Sequence, residues 1–401
     1  MKVLQINSVV NSGSTGRIAE EIGNVLLEYG HESYIAYGRG SASSTSNLIK
    51  IGSKKDIYLH GAFTLLTDRH GFASEKATRE FIHGLEKLKP DIIVLHNLHG
   101  YYINLSILFN WIKEKNIPVV WTLFDCWAFT GHCSYFDDIE CIKWKSHCTK
   151  CPKHSNYPSS WVDNSYGNFD DKMHLFTSVE KLELVTHSRW LADLVKDSFL
   201  RNYPVNVTPS GINLELFKPK ESNLRLKYGF GNRKIILGCA STWSNRKGYD
   251  DFVSLSAMLD SNYQIVMIGL NSKELRSLPK RIFGLMRTES VKELAQWYSL
   301  ASVFVNPTSQ DNFPTTNLEA LACGTPVITY DTGGSPESID TTTGIVVKKG
   351  DLNGIVNGIE KLVNSNSELL ANACRGRASM IYDRRKRYVD YLKIFDRLVK
   401  Q

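Results

Sequence analysis

The sequence predicts an α/β protein made of two doubly wound parallel sheets. Three observations lead there. Short apolar, β-branched segments alternate with helical patterns along most of the chain, the pattern of parallel strands covered on both faces. The alternation comes in two series, the second starting near Lys234. The halves also differ in chemistry: all eleven histidines lie between His31 and His187, residues 1–210 are charge-balanced, and the net +7 falls in the remainder. A chain of 401 residues accommodates two such lobes at the usual size of roughly 100–200 residues per domain.

The first strand is predicted over Lys2–Ile6. It runs into Asn11-Ser12-Gly13-Ser14-Thr15-Gly16-Arg17 and then a helical pattern of Ile18, Ile22, Val25 and Leu26. Strand, glycine turn and helix in that order place backbone N–H groups at a helix N-terminus, where anions bind. The Gly-x-x-Gly spacing is shared with many tight α/β turns. Further strands are predicted over His31–Tyr37, Ile92–Leu95, Val119–Leu123 and Leu182–Thr186, with helices over Glu75–Lys89, Ile103–Lys115 and Trp190–Phe199. The second series has strands over Ile235–Cys239, Gln264–Ile268, Val303–Asn306, Pro326–Thr329 and Gly344–Val347. The expected domains are 1–210, with a cysteine-rich insertion at 125–165; 211–380; and a closing basic helix at 381–401. Ligands of such sheets bind at the C-terminal ends of the strands.

Composition excludes several classes. Apolar residues make up 42% and charged residues 22%, as in ordinary soluble globular chains. No stretch approaches the roughly 18 apolar residues of a membrane-spanning helix. Polar residues break the opening segment too early for a secretory signal, so a cytoplasmic protein is expected. The basic excess is local, since the stretch from Ala371 onward alone carries +6, so no basic groove for nucleic acid is expected. That tail sets Tyr388, Tyr391, Leu392, Phe395 and Leu398 on one helical face. It reads first as a helix packing across both lobes, and second as a weak contact with an anionic membrane surface.

The richest segment is Asn306-Pro307-Thr308-Ser309-Gln310-Asp311-Asn312-Phe313-Pro314-Thr315-Thr316-Asn317-Leu318-Glu319. It follows a strand, and Pro314 suits the first turn of a helix. The amides of Thr315, Thr316 and Asn317 would then face a ligand and suit a diphosphate. Glu319 is placed to accept bonds from a sugar diol. Taken alone, the segment reads equally well as a capped helix with two unrelated acids.

The continuation, Leu321-Ala322-Cys323-Gly324-Thr325-Pro326-Val327 and Thr332-Gly333-Gly334-Ser335-Pro336-Glu337, resembles the donor signature of one family. This is the retaining, nucleotide-sugar-dependent GT-B glycosyltransferases of group 1, or family 4. Its pattern is an acid, seven residues, then a glutamate, followed by Ala-Cys-Gly-Thr-Pro-Val and Gly-Gly-x-Pro-Glu. Thr208-Pro209-Ser210-Gly211-Ile212-Asn213 with Phe217 and Pro219 resembles the family's inter-domain segment. Ser241–Gly248 resembles its diphosphate-holding segment, and the Gly13–Gly16 loop its first glycine turn. With His96–Tyr102 and Trp127–Cys133, the chain is similar to a bacterial subgroup that builds capsule and colanic-acid-like surface polysaccharides.

The resemblance implies two Rossmann-like domains facing each other across a cleft, and transfer of a sugar from a nucleotide diphosphate sugar to a saccharide or lipid-linked acceptor. It implies donor contacts from Gly13, Gly16, Arg246, Lys247, Asn312, Phe313, Pro314, Thr315, Thr316, Asn317 and Glu319. Catalytic roles fall to Asp311, Asp125 and His99, with no metal needed for catalysis because cations and amides stabilise the diphosphate. Besides Ser210 and Asn213 in the inter-domain segment, three positions depart from the pattern. Asp311 replaces the usual glutamate, Phe124 stands where many members have histidine, and Thr242 stands where an arginine is common, which turns attention to Arg246. A sugar-nucleotide epimerase of the same fold and a non-catalytic nucleotide-sugar-binding protein are the alternatives.

Five of eight cysteines fall between Phe124 and Trp161. Cys133, Cys141, Cys148 and Cys151, spaced x7, x6 and x2, read as a structural four-thiolate zinc site or as four reduced thiols. His132 reads as a zinc ligand or an acceptor contact. His96 reads as a wall residue, and Cys239 and Cys323 as core.

Overall fold

The computed structural model describes residues 1–40 and 43–400. The chain divides into two compact units, Met1–Thr208 with Tyr388–Gln401, and Pro209–Arg387. Each is a wholly parallel sheet with helices on both faces.

The first unit has seven strands: β1 (Lys2–Val9), β2 (Glu32–Arg39), β3 (Asn47–Lys50), β4 (Ile92–Leu95), β5 (Val119–Leu123), β6 (Leu182–Thr186) and β7 (Val205–Val207). Their order is β3-β2-β1-β4-β5-β6-β7. β4, β5 and β6 are buried at every position, as strands covered on both faces must be. The second unit has β8 (Lys234–Cys239), β9 (Tyr263–Ile268), β10 (Ile282–Leu285), β11 (Val303–Asn306), β12 (Val327–Tyr330) and β13 (Gly344–Val347), in the order β10-β9-β8-β11-β12-β13. In both sheets the strand order reverses beside the first strand of the unit, the place where such sheets open to ligands.

The strands absent from the sequence reading are β3, β7 and β10, and all three are edges. They are short and largely half-exposed, so they lack the continuous apolar run that marks a central strand. A helix over Lys54–Thr67 was also not anticipated. The closing helix Arg384–Val399 follows Ser367–Ile381. Its Tyr388, Tyr391, Leu392, Phe395 and Leu398 are buried with Val94, Val120 and Val185 of the first unit's sheet. Arg397 pairs with buried Glu183 of β6, and Tyr391 bonds Thr122 of β5 (3.2 Å). The tail's apolar face is therefore spent on packing.

Candidate functional site

In the second unit, β11 delivers the chain to a loop that ends at Pro314, where the helix Thr315–Ala322 begins. Pro314 is the N-cap, with φ −70° and ψ 113°, one position ahead of the first turn expected for it. Two neighbouring loops hold this one. The Arg246 carbonyl accepts from Ser309 N–H (2.8 Å), and Arg246 Nη1 donates to the Gln310 carbonyl (2.7 Å). The Lys247 ammonium pairs with the Asp311 carboxylate. From the loop after β12, Gly334 N–H donates to the Asp311 carbonyl (3.2 Å) and Thr332 Oγ1 to the Thr308 carbonyl (2.7 Å). Gly333 has φ +56°, and a Cβ there would stand 1.9 Å from the Asp311 carbonyl oxygen, so the two loops meet only because it is glycine.

Glu319 is buried and accepts from the Tyr298 hydroxyl (2.8 Å). Burial raises the Tyr298 phenol far above its ordinary range, so it remains a donor. Tyr298, on the helix Val291–Leu300, was not singled out in the sequence. Neither was Asn306, whose Nδ2 donates to Asn317 Oδ1 (2.8 Å). Asn317 Nδ2 donates onward to Ser338 Oγ (2.8 Å). Polar residues closing apolar strands, such as Asn306 and Thr329, were the available signal.

Three expectations are modified. Asn317 N–H donates to the Pro314 carbonyl (3.1 Å), which leaves Thr315 and Thr316 at the open first turn for an anion. The Phe313 ring lies in the core against Tyr382 (centroids 6.0 Å apart), so its backbone rather than its ring is offered to a ligand. Arg246, expected to help hold the diphosphate in place of the usual arginine, commits one guanidinium nitrogen to the Gln310 carbonyl.

In the first unit, β4 and β5 are neighbours and bring His99 and Asp125 together just beyond their C-terminal ends. His99 Nε2 lies 2.9 Å from Asp125 Oδ2, and Nδ1 lies 3.1 Å from the Tyr157 hydroxyl. Asp125 Oδ1 accepts from Trp127 N–H (2.9 Å). Burial pushes the Tyr157 phenol upward, so its hydroxyl keeps its proton beside Nδ1. Rings of His70, Trp127 and Tyr157 pack around His99. Tyr157 and His70 went unread in the sequence because the insertion brings Tyr157 back from afar. Phe124 lies between His96 and His187, and burial lowers those imidazoles to about 3 and about 4. His96 is a wall residue bonded to Gln5 (2.9 Å). Gly13, at φ +62°, and Gly16 open the helix Gly13–Glu28 of this unit.

Cys133, Cys141, Cys148 and Cys151 line one cavity of about 20 Å³ with His132 and Trp144. Cys133 and Cys148 belong to the aromatic core, while Cys141 and Cys151 stand half-buried beside it. A Cys133 thiol bond to Cys151 favours the thiolate on Cys151. Among the described residues no three His, Cys, Asp or Glu side chains are grouped to hold a metal ion. The sequence left a four-thiolate zinc site and four reduced thiols open, and the structure has the four as free thiols around that one cavity. His132 pairs with fully buried Asp68 instead. The insertion is fastened by Lys172, whose ammonium donates to the Trp127 (2.8 Å) and Thr130 (3.0 Å) carbonyls and lies 3.6 Å from the Trp127 ring centroid.

Two parallel doubly wound units, with polar clusters just beyond their strand ends, define a GT-B glycosyltransferase fold. Residues 233–365 match the glycosyl transferases group 1 family, and the chain carries a group 1 glycosyltransferase domain. It is 24% identical over 373 residues, 88% of each chain, to the putative colanic acid biosynthesis glycosyl transferase WcaC of Escherichia coli (strain K12). It is 27% identical over 169 residues, 39% of this chain and 44% of the relative, to the capsular polysaccharide biosynthesis glycosyltransferase CapM of Staphylococcus aureus. Among solved structures, sucrose-phosphate synthase from Thermosynechococcus elongatus superposes with a TM-score of 0.73 at 16% identity, covering 99% of this chain and 98% of that one. Anabaena HepE in complex with UDP superposes at 0.69 and 14% identity, covering 99% and 100%.

Proposed function

We propose that the protein is a retaining glycosyltransferase that takes a sugar from a nucleotide diphosphate donor and builds a bacterial surface polysaccharide. The observation that carries this is the Lys247–Asp311 pair beside the open first turn of Thr315–Ala322, with buried Glu319 one turn on. A cation, two amides and a diol-accepting carboxylate are the parts a nucleoside diphosphate needs. Asp311 pairs with Lys247. A diphosphate would take over that lysine and leave the carboxylate to the transferring sugar. Lys247 and the Thr315 and Thr316 amides then stabilise charge growing on the leaving diphosphate, with no metal required for that task.

HepE structures with UDP and with UDP-glucose support a nucleotide-sugar donor. The names of WcaC and CapM support a polysaccharide product. His99 and Asp125 are assigned to the acceptor hydroxyl, and Gly13 and Gly16 to backbone contacts with the donor. The acceptor is a saccharide or a lipid-linked oligosaccharide. The test is a panel of nucleotide sugars assayed for released nucleoside diphosphate with and without acceptor, with the anomeric configuration of the product read by NMR. Release that depends on acceptor, with retention, is expected. Sugar interconversion without acceptor would mean an epimerase, and binding without turnover a non-catalytic protein.

A further inference from the structure

The helix Lys54–Thr67 is turned inside out. Its buried residues are His60 and Thr64. Its exposed ones include Tyr58 (77% exposed), Leu59 (70%), Phe63 (40%) and Leu66 (57%). Leu59, Phe63 and Leu66 share one face by their i, i+4, i+7 spacing, with Tyr58 at its edge, the opposite of a helix docked by its apolar stripe. The patch continues off the helix: Trp161 (71% exposed) is tied to it by its N–H, which donates to the Leu65 carbonyl (2.8 Å). Apolar surface of this size on one element is where a protein meets something else.

The inward side explains why the helix stays in place. His60 Nε2 accepts from Gly71 N–H (3.1 Å), His60 Nδ1 lies 2.8 Å from Ser74 Oγ, and a Ser53–Asp56 capping box closes the N-terminus. The His60 ring also touches Tyr101, which packs on Tyr157, the partner of His99. The apolar face is therefore the outer surface of an element that reaches the acceptor-side cluster.

We propose that this face docks on the surface of an anionic lipid bilayer. Charge favours that occupant. Exposed Lys54 and Lys55 occupy the first turn, where the helix dipole disfavours cations, so they serve something other than helix stability. Leucine and phenylalanine bordered by tyrosine, tryptophan and lysine are residue types that a membrane interface favours. A second copy of the chain fits less well, because a stable dimer buries about 800 Å² per partner through some 20–30 residues, more than one helix face provides. The docking element is this helix rather than the basic tail, whose apolar side is buried.

The full chain, without donor or acceptor, is mixed with phosphatidylglycerol-containing or pure phosphatidylcholine vesicles and sedimented. The protein is expected to bind the anionic vesicles, and the double variant Leu59→Ser/Phe63→Ser to bind about tenfold or more weakly. Lys54→Glu/Lys55→Glu should abolish the preference for anionic lipid, while Arg385→Glu/Lys386→Glu in the tail should bind as the parent does. The substituted side chains are exposed, so unchanged melting is expected and is checked alongside. Binding by the Leu59/Phe63 variant equal to the parent, or no binding by the parent, overturns the proposal. So does a dimer by light scattering that this variant dissolves, which would make the face a contact between copies. Because no sugar is present, these outcomes stand apart from those of the transferase assay.

Discussion

Lys247 and Asp311 pair, so an anionic donor that takes up the Lys247 ammonium competes with the Asp311 carboxylate. Lys247→Ala should weaken nucleoside diphosphate binding by about 1.5–3 kcal/mol, the scale of a charged hydrogen bond. Glu319→Ala should cost a similar amount through the ribose. Calorimetry with the nucleoside diphosphate checks both, and unchanged affinity in both would remove the donor assignment. Asp311→Asn separates the roles. It frees Lys247, so nucleoside diphosphate affinity should not weaken, yet kcat should fall because the carboxylate near the transferring sugar is lost. Full turnover by Asp311→Asn would make that acid a loop residue. The Asp-x7-Glu spacing was legible in the sequence. The pairing of its first acid with Lys247 was not, since the two lie on separate loops.

At the scale of elements, the site depends on loops that meet through backbone. Gly333→Ala would place a Cβ against the Asp311 carbonyl at a left-handed φ, and should cost about 1–3 kcal/mol of stability. Melting should fall and kcat with it, because the Asp311 loop has nowhere else to go. A variant with unchanged melting and turnover would show that the loops do not need this contact. The insertion has its own fastener. Lys172 is fully buried, and burial lowers its ammonium to about 7. Lys172→Met would keep the volume but leave the Trp127 and Thr130 carbonyls short of a donor, at a cost of about 1–3 kcal/mol. Limited proteolysis should then cut within 125–165 before the rest of the chain. Central strands were legible as apolar runs, but edges β3, β7 and β10 were not, because half-exposed strands take their identity from a neighbour. The helix Lys54–Thr67 was missed for a related reason: its apolar residues face outward, so its pattern does not describe packing against this protein.

At the scale of the molecule, the histidines divide the two units. Burial lowers His60 to about 4, His96 to about 3 and His187 to about 4, and takes His70 well below its ordinary value. The unfolded chain binds protons at these positions from about pH 6.5 downward while the native first unit does not. Stability is therefore intact above that pH and lost as pH falls toward 4, by about 2 kcal/mol for each such histidine near pH 4.5. The second unit, Pro209–Arg387, has no histidine. Calorimetry at pH 7 and pH 5 should show the first unit's transition moving down much more than the second's, and equal shifts would contradict the linkage. That division was visible in the sequence, as were the two sheets and the donor motif, because apolar runs, glycine turns and short spacings are local. Only the tertiary structure decided that Tyr298 orients Glu319, that Tyr157 joins His99 and Asp125, and that the tail spends its apolar face on the first unit. It also decided that four well-spaced cysteines gather around one small cavity. Each of these turns on contacts between residues far apart in the chain, and periodicity along a chain carries no information about which distant surfaces meet.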